Sequence, residues 1–207
     1  MSRYLIPLSD YNRVYQVAHG VSRVVGGSEK GCIFFACAGA LILNKQYRIK
    51  ASVVAGAFAF CANETPEIAF FGEQHGSTLT SSEDGFHMWI QTEAHIIDFM
   101  APIFPEAFAD RGLTVPRKML QRPLSTEAAS LDALKTPGDF YAMPHPELTD
   151  RLLDRFLSRP SSGDLLQVAE TWFGNRRKPQ VKSLKMGDSA GDRYTLTLPT
   201  TVASGSW

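Results

Sequence analysis

The stretch Cys32-Ile33-Phe34-Phe35-Ala36-Cys37-Ala38-Gly39-Ala40-Leu41-Ile42-Leu43 is apolar on every side. In a water-soluble chain such a run is a helix that must be covered all round, so the rest of the fold has to supply its walls. Asn44 is its expected exit. With 207 residues, 44% of them hydrophobic, the chain is long enough to bury such a helix and short enough to be one domain.

The walls are legible as periodicities. Tyr11, Val14, Tyr15, Ala18, Val21 and Val25 recur at helical spacing, which predicts a helix over 10–25 with Ser9 or Asp10 as its cap and Gly26-Gly27 as its stop. After Asn44 the pattern turns to alternation, Tyr47 and Ile49 against Arg48 and Lys50, and then to a β-rich run through Phe60, read as one long strand over 46–60 bent at Gly56. Further strands are expected at 67–71, 86–91 and 95–100, with a polar surface loop at 72–85. Beyond Ala101 the reading gives a short strand at 140–143, amphipathic helices at 146–158 and 163–173, and a late hairpin from 181–186 and 194–198. The class is α+β, a helix packed on a mostly antiparallel sheet, with a core at about 10–102 that residues 103–207 extend into one domain.

Charge narrows the function. With 21 basic and 21 acidic side chains, the summed field draws the chain neither to nucleic acid nor to an anionic membrane. No stretch approaches the roughly 20 apolar residues of a membrane span, and the first residues lack the layout of a secretory signal, so a cytoplasmic protein is expected. Three cysteines make no disulfide framework and show no zinc spacing, so neither a metal nor a cofactor is expected.

Cys32 opens the apolar helix. The positive end of the helix dipole and its free N–H groups favour a thiolate there, lowering a thiol pKa that is ordinarily about 8.5. Gly31 lets a substrate backbone come close, and the Cys32 N–H can donate to a developing oxyanion. A cysteine nucleophile needs a base, normally a histidine held by a third group. His87 begins one expected strand and Asp98 lies in the next. A two-residue turn at Thr92-Glu93 sets them directly opposite, and one at Glu93-Ala94 sets them diagonally; both keep the side chains on one face because side chains alternate with period two. An ionised Asp98 between Ile97 and Phe99 needs a partner, and His87 is the obvious one. Trp89 shares the face of His87, either packing there or walling the site.

The order Cys32, His87, Asp98, the buried helix behind Cys32, the strand ending Val53-Val54-Ala55-Gly56, the sequence His87-Met88-Trp89-Ile90 and the ending Ile96-Ile97-Asp98 resemble the catalytic core of transglutaminase-like proteins. Those proteins have the papain-like cysteine proteinase fold, and uncharacterised bacterial families are assigned to it. The family's Gly-Cys helix start, the Ala four residues on (Ala36), the Val-x-Gly strand end, the His-x-Trp and the later Asp recur here in order over residues 26–100. The resemblance implies a catalytic triad of Cys32, His87 and Asp98, with Gly31 and Trp89 beside the substrate. The chain departs from the pattern in lacking a proline directly after Asp98 and a glutamine shortly before Cys32. That leaves the second oxyanion donor unassigned, with Tyr11, Tyr15 and Gln74 as candidates.

Cysteines inside apolar elements are usually structural, which is the reading for Cys37 and Cys61. His19, His75, His95 and His145 are read as structural or exposed, with His75 able to lie over a cleft. Arg176-Arg177-Lys178 is read as a solvated surface. The expected activity is that of a cysteine hydrolase or acyltransferase acting on a small-molecule or peptide substrate. The alternative is an inert binding module on the same fold.

Overall fold

A computed structural model gives the architecture of residues 4–23, 31–65, 67–76, 78–187 and 192–207. Helix α1 (Leu8–Ser22) comes first. It starts earlier than its periodicity suggested, because Pro7 is the N-cap and the Tyr11 N–H donates to its carbonyl at 2.9 Å. Ser9 and Asp10 are therefore inside the first turn, where Asp10 favours the helix dipole without capping. The expected stop at Gly26-Gly27 lies outside the described residues.

Helix α2 (Cys32–Ile42) buries every residue except Ile33 and Leu41. It packs against α1, against the later helix Pro160–Phe173 and against the sheet. The sheet comes so close that a Cβ on Gly39 would fall 2.7 Å from the Ile90 side chain, and 2.4 Å from the ring of Phe99, the residue just after the strand His95–Asp98. After α2 the chain does not enter a strand. It winds through one π-helical turn, Leu43–Tyr47, and leaves it by a left-handed Arg48 at φ 56°. The alternation over 46–50 is thus that of a turn, with Tyr47 and Ile49 packed on the core. Asn44 joins the turn's two ends, donating from Nδ2 to the carbonyls of Ala40 and Ala51.

Strand β1 (Ser52–Cys61) is the spine of the sheet. β2 (Ile68–Phe71) follows, and the segment read as a loop then forms a small hairpin, β3 (Glu73–His75) and β4 (Thr78–Thr80), which polar composition had hidden. Next come β5 (His87–Gln91) and β6 (His95–Asp98), then a 3-10 turn at Ala101–Ile103 and the short helix α3 (Phe104–Ala107). β7 (Leu120–Pro123) was not expected; β8 (Phe140–Pro144), α4 (Pro146–Leu157), α5 (Pro160–Phe173) and the hairpin of β9 (Ser183–Gly187) and β10 (Arg193–Thr197) were. All pairings between strands of the main sheet are antiparallel, in the order β2-β1-β5-β6-β7 with β8 also on β1. The class is mixed α+β. Among the described residues no helix is long and apolar enough to cross a membrane.

The register of β1 positions the site. Residues 52–56 pair with β5, 58–61 with β2, and 56–60 with β8. Shared residues place β8 on one edge and β5 and β2 end to end along the other. His87, the first residue of β5, therefore abuts Phe71, the last of β2, and their rings stack at 4.1 Å and 14°. Gly56 lies at this junction, paired to His87 and to Pro144. A Cβ there would be 2.0 Å from the Met143 carbonyl oxygen, a backbone atom held by the sheet. Gly56→Ala is accordingly expected to cost about 3 kcal/mol, measured as a lower urea midpoint; a loss under about 1 kcal/mol would show that β8 yields freely.

Candidate active site

Cys32 is the first residue of α2, behind Gly31 as N-cap (φ −87°, ψ 19°) with no capping side chain. The earliest intrahelical bond runs from the Phe35 N–H to the Gly31 carbonyl at 3.0 Å, so the N–H groups of the first turn have no partner within the helix. Cys32 thus sits at the positive end of the α2 dipole.

Opposite it stands the β5–β6 hairpin. Ile90 pairs with Ile97 and Gln91 with Ile96, and the Thr92 N–H donates to the His95 carbonyl at 2.9 Å, closing a two-residue turn at Glu93-Ala94. Thr92 Oγ1 accepts from the His95 N–H at 2.9 Å and secures the turn. Of the two registers that parity allowed, this is the diagonal one. It brings His87 Nε2 to 2.5 Å from Asp98 Oδ2, with the two side chains 1% and 3% exposed. The Cys32 thiol shares a cleft with the His87 ring and is among the groups that favour its charged form. Because Nε2 is taken by Asp98, Nδ1 is the nitrogen left for the thiol.

Each member is held from outside. Asp98 Oδ1 accepts from the Met100 N–H at 2.8 Å, and the Asp98 carbonyl accepts a hydrogen bond from the Tyr11 hydroxyl. Burial, and then the Asp98 charge, push the Tyr11 phenol well above its ordinary range, so it stays a donor. Phe71 stacks on His87, and Phe58 and Phe104 lie at its other sides. Burial works against charge on His87, but the Asp98 carboxylate and, next, the Cys32 sulfur overcome it and raise the imidazole from 6.5 to about 9.

Cys32 and His87 line a cleft of about 400 Å³, with Phe71, Phe86 and Met100 among its walls and Asp84, Glu106 and Asp110 at its charged rim. The bidentate Arg117 fixes Glu106 at 2.8 and 3.0 Å. Trp89 is fully buried, packs on Phe58 and does not line the cleft. Gly31 stays partly exposed beside Cys32. Of the proposed oxyanion donors, Tyr11 is committed to the Asp98 carbonyl, Tyr15 to His19 at 2.8 Å, and the Gln74 amide to the Gly76 carbonyl on the exposed β3–β4 hairpin. His75 lies on that hairpin 3.8 Å from Glu73 and is not a cleft residue. Two contributors escaped the sequence reading: Tyr11 as clamp of the Asp98 backbone and Phe71 as the ring on His87. Both act through tertiary contact and leave no local motif.

The other thiols differ in chemistry more than in burial. Cys37 is 9% exposed and Cys32 8%, yet burial, and then Cys32, push the Cys37 thiol up to about 12. Cys61 is fully buried, and burial raises it too. Among the described residues no group of three or more His, Cys, Asp or Glu side chains is placed to hold a metal ion.

Comparison with known proteins places this chain. The family described as protein of unknown function (DUF2026) matches residues 7–207. The chain belongs to that family. A solved crystal structure, described as that of genomics APC5867, is similar to this DUF2026 chain with a TM-score of 0.88 and 32% identity, over 100% of this chain and 99% of its own. No curated protein matches.

Two expectations follow from the geometry. Iodoacetamide at neutral pH should alkylate Cys32 at least about tenfold faster than Cys37, because burial holds Cys37 as the unreactive thiol; equal rates by peptide mapping would remove Cys32 from the site. The imidazole of His87 should titrate near 9 by nitrogen NMR. Since its pKa is raised on folding, its contribution to stability is complete below about 6.5 and is lost as the pH rises through about 9. In Asp98→Asn the midpoint should fall well below 9, burial then acting with less opposition, and an unchanged midpoint would mean that Asp98 does not hold the proton there.

Proposed function

We propose that this chain is a cysteine hydrolase or acyltransferase with a cysteine-proteinase-like core of the transglutaminase-like branch. One observation carries the reading: a thiol at the start of a buried helix opens on the same cleft as a histidine whose Nε2 lies 2.5 Å from a buried carboxylate. A raised imidazole pKa favours the imidazolium, the partner that a thiolate needs.

In the reaction, the Cys32 proton passes to His87 and the sulfur attacks the carbonyl carbon of an amide or ester. Charge develops on the carbonyl oxygen, and the Cys32 N–H at the helix end stabilises it. The bond to the leaving group breaks as His87 returns the proton to the departing nitrogen or oxygen, leaving a thioester. Water or an amine, giving its proton to His87, attacks the thioester and expels the sulfur. Asp98 keeps the imidazole oriented and stabilises its charged form. The substrate is a small molecule or a peptide whose acyl group enters beside Phe71, Phe86 and Met100.

The test uses p-nitrophenyl acetate, with intact-protein mass read during turnover. The wild type should accumulate one acetyl group on Cys32, and Cys32→Ala should form none while melting as the wild type does. His87→Ala should slow acylation by about 10²- to 10⁴-fold. Undiminished acetyl transfer in Cys32→Ala, or failure of the wild type to acylate with this and other activated acyl esters, would favour an inert binding module.

A further inference from the structure

A second site lies at the far end of α2, about 15 Å along the helix from Cys32 at 1.5 Å per residue. There the π turn and the loop after α5 enclose a pocket of about 390 Å³ lined by Lys45, Tyr47, Arg48, Asn175, Arg176 and Arg177, among others. We propose that this pocket binds the phosphoryl group of a small phosphorylated molecule.

The loop is built around another cation. Arg13 donates from its guanidinium to the carbonyls of Phe173, Asn175, Arg176 and Lys178 at 2.8 to 3.1 Å and to the Gln180 side chain at 2.8 Å, and stacks over Phe173 at 4.5 Å. Positive charge commonly gathers at helix C-termini to meet unpaired carbonyls. Here Arg13 already serves the end of α5, so Arg176 and Arg177 are not needed as caps. Arg176 instead lies over the Tyr47 ring at 5.1 Å, and both residues line the pocket.

Compensating charge is sparse. Lys45 holds Glu170 at 2.7 Å, and Asp10 lies by the Tyr47 hydroxyl. Among the described residues, Arg48 and Arg177 have no carboxylate partner. Cations without counter-charge repel one another, and the chain, with 21 basic and 21 acidic side chains, has acids to spare elsewhere.

Arg48 supplies an independent reason. It is the only non-glycine residue with positive φ among those described. Glycine would take that conformation without strain, and strained backbone tends to be kept where the side chain has work to do. Guanidinium forks match phosphate oxygens two at a time, which suits arginine more than lysine to this task. The pocket's volume fits a phosphorylated small molecule, whereas a nucleic acid needs an extended basic stripe, and the chain's overall neutrality provides no field to gather one.

Isothermal titration with inorganic pyrophosphate at low ionic strength tests the site. The wild type should bind one equivalent. Arg48→Gly should weaken binding at least about tenfold, the worth of one charged bidentate contact, while its melting temperature stays level or rises because the strain is gone. Arg176→Gln with Arg177→Gln should do the same, whereas Lys185→Gln, a charge removed on β9, should change affinity less than about twofold. Unchanged affinity in Arg48→Gly, or an equal loss in Lys185→Gln, overturns the proposal. Binding of single-stranded oligonucleotide far tighter than of pyrophosphate would assign the patch to a polymer and overturn it as well.

Discussion

A carboxylate and an imidazole buried to 3% and 1% exposure can remain only if each satisfies the other. Asp98 and His87 do so, and much of the surrounding structure serves to keep them in register. The β5–β6 turn sets the diagonal, the Met100 N–H takes the second carboxylate oxygen, and Tyr11 reaches across from α1 to hold the Asp98 carbonyl. The pair thereby ties the first helix to the middle of the sheet. With Asp98 on Nε2, the pair also leaves Nδ1 as the ring nitrogen that remains for chemistry in the cleft that His87 shares with Cys32.

Helix α2 provides the complementary constraint. Having no polar face, it must be enclosed, and α1, α5 and the sheet close around it. Enclosure leaves its two ends as the places where polar chemistry meets water. At one end Cys32 faces the His87 cleft; at the other the chain turns back through a π-helical turn and a left-handed arginine.

Much of this was legible in the sequence, for reasons that can be named. The period of two in a strand placed His87 and Asp98 on one face whichever two-residue turn closed the hairpin, so their juxtaposition did not hinge on the turn's position. The apolar run announced a covered helix because no amphipathic alternative exists for it. The errors are equally physical. Tyr47-Arg48-Ile49-Lys50 alternates like a strand, yet two core-facing residues two apart arise as readily from a tight turn, and nothing local distinguishes the cases. β3 and β4 were concealed because an exposed hairpin has no apolar face to betray it. Tyr11 was recognised as helical and buried, but the destination of its hydroxyl is a fact of three-dimensional packing. Trp89 shares a strand face with His87, and that shared face becomes a packing contact behind the site, away from the cleft surface.

The division of one edge of β1 between β5 and β2 has a consequence for how such a protein can vary. Because Phe71 and His87 are stacked neighbours, the chain departs from the sheet after one and returns to it at the other at nearly the same point. Residues between them form an excursion whose ends are already joined through the spine strand, and Asp84 and Phe86 from it line the cleft. Segments anchored in this way accept changes of length and composition with little disturbance to what lies beneath. The fold thus separates a floor fixed by sheet and helix packing, which carries thiol, imidazole and carboxylate, from a porch that can change shape without disturbing it.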